Sequence, residues 1–153
     1  MDLRDALFAS ATERFREQAD KDYIVARSCY RMNLREQFLW ASLQACEKYL
    51  KGTLLFNGKS ARYDPATYDP NKKGNKKFGH NLTRLFEIAR AIGDLPLDKP
   101  VWMPEFLEYL TIFGNNRYLS KATYATGDEL RMLDEVVWVL RQVCQNFDWT
   151  PKI

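Results

Sequence analysis

The sequence predicts an all-α protein, an up-and-down bundle of about five helices. Three observations carry this. Apolar residues recur at spacings of three and four along most of the chain. No strand-like alternation occurs anywhere. Asn57-Gly58, two Asp-Pro pairs and Gly93 fall between the periodic stretches, where helices must end. At 153 residues, 46% of them hydrophobic, the chain reads as a single domain, 1–153, long enough to bury its own core.

Taken in order, Leu3, Leu7, Phe8, Ala11 and Phe15 lie on one face of a first helix. "ADKDYIVARSCYRMN" continues it without proline or glycine, with a break around Asp20 to Asp22 left open. "LREQFLWASLQACEKYLKGTLLF" is the clearest helix. Leu34, Phe38, Ala41, Ala45 and Tyr49, with Leu50 and Leu54, form its buried stripe, while Glu36, Glu47, Lys48 and Lys51 fall mostly off it. Residues 58–79, "GKSARYDPATYDPNKKGNKKFG", lack apolar periodicity and read as a loop, and loops of that length are commonly functional or disordered. A short helix follows, with Leu82, Leu85, Phe86 and Ala89 inward. Pro104 suits the first turn of the next, which buries Phe106, Leu107, Leu110 and Phe113. The last opens on a Thr126-to-Glu129 capping box and turns Leu130, Leu133, Val137, Leu140, Cys144 and Phe147 to the core.

Several function classes are set aside on composition. A net charge of +3 is too small for a nucleic-acid tail but allows a local basic patch. Cys29, Cys46 and Cys144 form no C-x-x-C, and with one histidine they fit reduced, packed thiols rather than a zinc site. The start of the chain has no signal-peptide core and no run is long enough to span a membrane, so the expectation is a soluble, cytoplasmic protein. No nucleophile elbow, Walker loop or dinucleotide fingerprint occurs. Glu17 and Asp20 read as solvent-facing, and the four tryptophans as core or interface anchors. No metal or cofactor is expected.

Two motifs stand out. "QACEKYLK", Gln44 to Lys51, is similar to the Q-A-x-E-K-x-L-K helix, and "GHNL", Gly79 to Leu82, to the G-H-D-L turn, of the HEPN family (higher eukaryotes and prokaryotes nucleotide-binding). With "NNRYLSKATYATGDELRMLDEVVWVL" the resemblance spans residues 19–143. It implies a helical bundle, usually a homodimer, in bacteria or archaea. Such modules are often paired with a nucleotidyltransferase-type partner in toxin–antitoxin or defence systems. Many catalytic members of the family are metal-independent ribonucleases with an Arg followed, after four to six intervening residues, by a His. Here the positions five to seven before His80 are Asn75, Gly74 and Lys73, so that motif is absent.

The candidate site is the stretch before the third helix. Lys72, Lys73, Lys76 and Lys77 crowd ahead of His80, and a helix starting there would turn its first amides toward an anion. A nucleotide or RNA phosphate fits, as does a plain solvated loop. His80 reads as a proton acceptor for a ribose hydroxyl, a ligand contact, or a structural residue that caps the helix or bonds a neighbouring carboxylate. Glu47 and Lys48 point about 100° apart and read as a solvated or interface pair. Arg117 and Tyr118, before the last helix, would add a guanidinium and a stacking face. The expected function is a nucleotide- or RNA-binding or partner-docking module. The rival is a metal-independent endoribonuclease using His80 with a substitute basic residue such as Arg117.

Overall fold

Asp2 starts the first helix: its carboxylate accepts a hydrogen bond from the Arg4 amide at 3.3 Å. In the computed structural model, which describes residues 2–66, 68–71, 77–93, 95–115 and 127–145, α1 (Leu3–Arg31) then runs without a break. The interruption left open at Asp20 to Asp22 does not occur. Both acids have partners that make the helix worth continuing: Asp20 accepts from Tyr49 and Arg141, and Asp22 pairs with Lys48. Asn33, at φ 58, turns the chain into α2 (Arg35–Phe56).

That second helix is the axis of the bundle and touches all four others. Its burial therefore goes round the helix rather than along one stripe. Leu39, Ser42, Leu43, Cys46 and Glu47 are buried along with Phe38, Ala41, Ala45 and Tyr49. Leu34, expected in the stripe, sits before the first turn and is 39% exposed.

Directions follow from the cross-contacts. Asp22 meets Lys48 and Thr12 meets Gly52, so α1 and α2 are antiparallel. In α5 (Glu129–Gln145), Asp134 takes hydrogen bonds from Tyr23 and Arg27 while Arg141 binds Asp20, so α5 opposes α1 and runs alongside α2. The pair α3 (Leu82–Ala91) and α4 (Met103–Gly114) covers another side of α2. The Thr111 hydroxyl, near the end of α4, accepts from the Leu82 amide at the start of α3. Leu82, Leu85, Phe86 and Ala89 are all buried, as are Phe106, Leu107 and Leu110, with Phe113 half-buried. Gly114 lets α4 lie on α2: a Cβ there would come within 3.0 Å of Leu43 Cβ and 3.1 Å of the Leu39 carbonyl oxygen.

On α5, Leu133, Val137, Leu140 and Cys144 face the core, and Phe147 and Thr126 lie outside the described residues. The Glu129 carboxylate reaches across to Arg35, with oxygens 2.6 and 3.1 Å from its two terminal nitrogens. Of the tryptophans expected as core or interface anchors, Trp138 is 69% exposed and takes no part in the core. Among the described residues the architecture is an all-α bundle of five helices. Among the described residues there is no strand, only an isolated antiparallel bridge between Tyr63 and Lys77. No helix among them is long and apolar enough to cross a membrane.

Candidate functional site

Trp40, Glu47 and Lys51 recur at intervals of seven and four along α2, which places them on one side of that helix. The chain returns to this side after the long loop. Gly79, at φ 57, makes a turn that a residue with a Cβ adopts only with strain. Asn81 then caps α3, its side-chain oxygen accepting from the Arg84 amide at 3.1 Å. The turn delivers His80 onto α2 just ahead of the cap.

His80 Nδ1 lies 2.9 Å from Glu47 Oε1. The same oxygen is 3.4 Å from Lys51 Nζ, and that ammonium donates to the Gly79 carbonyl at 3.3 Å. The Trp40 ring meets the imidazole edge-on, with centroids 5.3 Å apart. Glu47 is only 4% exposed, which corrects the solvated alternative of the expected solvated or interface Glu47–Lys48 pair. The 79–81 turn covers that side of α2, and a carboxylate so covered is tolerated only with partners, which His80 and Lys51 supply. Lys48, a third of a turn round, pairs with Asp22 of α1 instead.

The imidazole itself keeps 44% of its side-chain surface exposed. A carboxylate at Nδ1 selects the tautomer with its proton there and turns Nε2 away from α2. A neutral ring then offers a lone pair at Nε2. A protonated ring donates from both nitrogens, one to Glu47 and one outward.

The long loop is tied down at its base. The Phe78 amide donates to the Arg62 carbonyl at 3.0 Å beside the Tyr63–Lys77 bridge, and the Phe78 ring is buried. Asp64, 6% exposed, is gripped by Arg84 through two bonds of 2.8 and 3.0 Å. Of the residues expected to bind phosphate, Lys77 and His80 are brought to this one end of α3, and Lys77 is exposed. Lys72, Lys73, Lys76 and Arg117 lie outside the described residues. Sequence reasoning missed Lys51 as a member of the group, although it closes the "QACEKYLK" motif one turn after Glu47.

Other polar groups do structural work. Arg35 bridges Glu129 and the Tyr109 hydroxyl beside a cavity of 320 Å³ lined by Tyr30, Asn33, Arg35 and Glu129. Burial pushes the Cys46 thiol up to about 12 and the Cys144 thiol up to about 11, so neither supplies a thiolate at neutral pH. No group of three or more His, Cys, Asp or Glu side chains among the described residues could hold a metal ion.

Comparison with models of protein families, with curated proteins and with solved structures gives no match to this chain.

Proposed function

We propose that this chain is a HEPN-like binding module that takes the phosphate of a nucleotide or RNA with Lys51, Lys77 and His80, ahead of α3. The observation that carries this reading is the anchoring of a half-exposed His80 by the buried Glu47 carboxylate. That contact fixes the ring in place and aims its second nitrogen outward, beside one lysine in the same network and another three residues upstream. In the protonated ring that nitrogen donates to a phosphate oxygen, and the two ammonium groups add attraction; with the imidazole and Lys51 already held at Glu47, only the exposed Lys77 side chain has to be ordered on binding. Under this reading the module pairs with a second copy of itself, and a nucleotidyltransferase-type protein is its expected partner.

The same contact favours a second reading. A histidine oriented by a carboxylate is also the arrangement of a general base. Metal-independent RNA cleavage by His80 is therefore the alternative, with a cation such as Arg117 in the supporting role.

One experiment separates the two. Labelled RNA is incubated in EDTA with wild type and His80→Ala, and binding and cleavage are followed together. The binding module predicts retention without cleavage by wild type and weaker retention by the variant. Cleavage by wild type that disappears in the variant establishes the ribonuclease instead.

A further inference from the structure

The base of the long loop sorts its aromatic residues in opposite directions. Phe78 goes into the core at 4% exposure, whereas Tyr68 keeps 50% of its surface in solvent. The Tyr68 ring does not stand alone: it lies against Tyr63 with centroids 5.5 Å apart and planes tilted by 38°. The Arg62 guanidinium lies over the Tyr63 ring at 5.2 Å. Across the bridge from Tyr63 is Lys77, exposed and three residues before His80.

The geometry points to a base-stacking platform, built from Tyr68 and Tyr63 and backed by Arg62, that selects single-stranded nucleic acid with unpaired bases. This rests on the phosphate-binding reading above and names its ligand class. Three features favour it over an incidental surface pair. An exposed aromatic face next to cations is what successive bases stack on, since every base has a π-face and every linkage a phosphate. The platform is held before any ligand arrives, by the Phe78-to-Arg62 backbone bond, by the Asp64–Arg84 grip, and by Asp64 and Asp69 carboxylates accepting from the Ala66 and Asn71 amides. Stacking and charge also share the base of the loop, since Lys77 is bridged to Tyr63, whose ring lies against Tyr68. The Asp69 carboxylate beside Tyr68 is a negative charge that a strand must pass, and its engagement with Asn71 turns it toward the backbone. A duplex, with its bases already stacked inside, cannot use the tyrosine face.

The test is fluorescence anisotropy of a labelled 12-nucleotide single-stranded RNA, its duplex, and ATP as competitor. Wild type, Tyr68→Ala, Tyr68→Phe and Lys77→Ala are compared across a salt series. Tyr68→Ala is expected to weaken single-strand binding about tenfold with the salt slope unchanged, while Tyr68→Phe stays within about twofold. Lys77→Ala is expected to lower the slope by about 0.7, the share of one phosphate contact on a single strand. Wild type should prefer the single strand to the duplex. Wild-type affinity in Tyr68→Ala, or equal binding of single strand and duplex, overturns the platform and leaves the phosphate reading intact. ATP bound without any RNA does the same. Binding of neither overturns both.

Discussion

Replacing Glu47 by glutamine keeps an oxygen in reach of His80 but removes the negative charge under the site, and its consequences can be worked from the contacts. A hydrogen bond to a charged group contributes about 1.5–3 kcal/mol, and a partly solvated ion pair such as Lys51–Glu47 about 0–1 kcal/mol. Relief of the cost of burying a carboxylate offsets part of this, leaving a net loss of about 1–2 kcal/mol. At roughly 2–4 °C per kcal/mol for a chain of this size, the Tm should fall by about 2–8 °C. Binding should move the other way. One charge removed at about 8 Å in a water-like dielectric is worth about 0.5 kcal/mol, so an anion should bind about two- to threefold more tightly. A carboxylate that orients a catalytic base behaves differently: its loss costs about a hundredfold or more in rate. Thermal unfolding and RNA titration of the same preparations check both sides. An unchanged Tm together with weaker RNA binding would refute the placement of Glu47 as a buried partner beneath the site.

Other outcomes follow from contacts elsewhere. Gly114→Ala should cost about 1–3 kcal/mol in chemical denaturation, because the new methyl meets the Leu39 carbonyl, which is backbone and cannot step aside. Glu129→Ala should cost about 3 kcal/mol, since Arg35 is left without its carboxylate in a largely buried position. Burial alone would raise the Asp20 carboxyl, but hydrogen bonds from Arg141 and Tyr49 and the charges of Arg141 and Arg16 outweigh it and hold the pKa below its usual value. With the folded value depressed, the stabilisation is present above the unfolded pKa of about 3.9 and is lost as pH falls through the folded one. Asp20→Asn should therefore flatten the decline of stability below about pH 4 in acid titrations followed by circular dichroism. A thiol reagent should label Cys29 in the native protein and reach Cys46 and Cys144 only after unfolding, as their burial requires.

Much of the fold was legible because helical periodicity reports on one-sided burial. In α3 the predicted inward residues are the buried ones, and in α4 all but the half-buried Phe113 are, for each of these helices has one face on the bundle and one in water. The same rule failed on α2, which is enclosed by its four neighbours, so Glu47 was read as part of a solvated or interface pair. The clue was compositional: between Phe38 and Phe56 only Glu47, Lys48 and Lys51 carry charge, and a helix so apolar on every side belongs at a centre. Leu34 was misplaced because periodicity does not mark the residue where a helix begins.

The site was legible in its ends but not in its join. "QACEKYLK" and "GHNL" each drew attention, yet the pairing of Glu47 with His80 spans 33 positions and depends on where the loop returns to α2. Arg84 and Asp64, 20 positions apart, show the same limit. Nothing local in either residue names the other. Tyr63 and Tyr68 went unremarked because lysines and Asp-Pro pairs marked their segment as a loop, and loop composition does not say which aromatic is held exposed.

The most direct test is the salt dependence of single-stranded RNA binding by wild type and by Lys51→Ala, Lys77→Ala and His80→Ala, measured from low to physiological salt. A phosphate site at the head of α3 predicts binding that weakens steeply with salt, with each lysine variant lowering the logarithmic slope by about 0.7. Binding by wild type that ignores salt, or slopes identical in all four proteins, would contradict it.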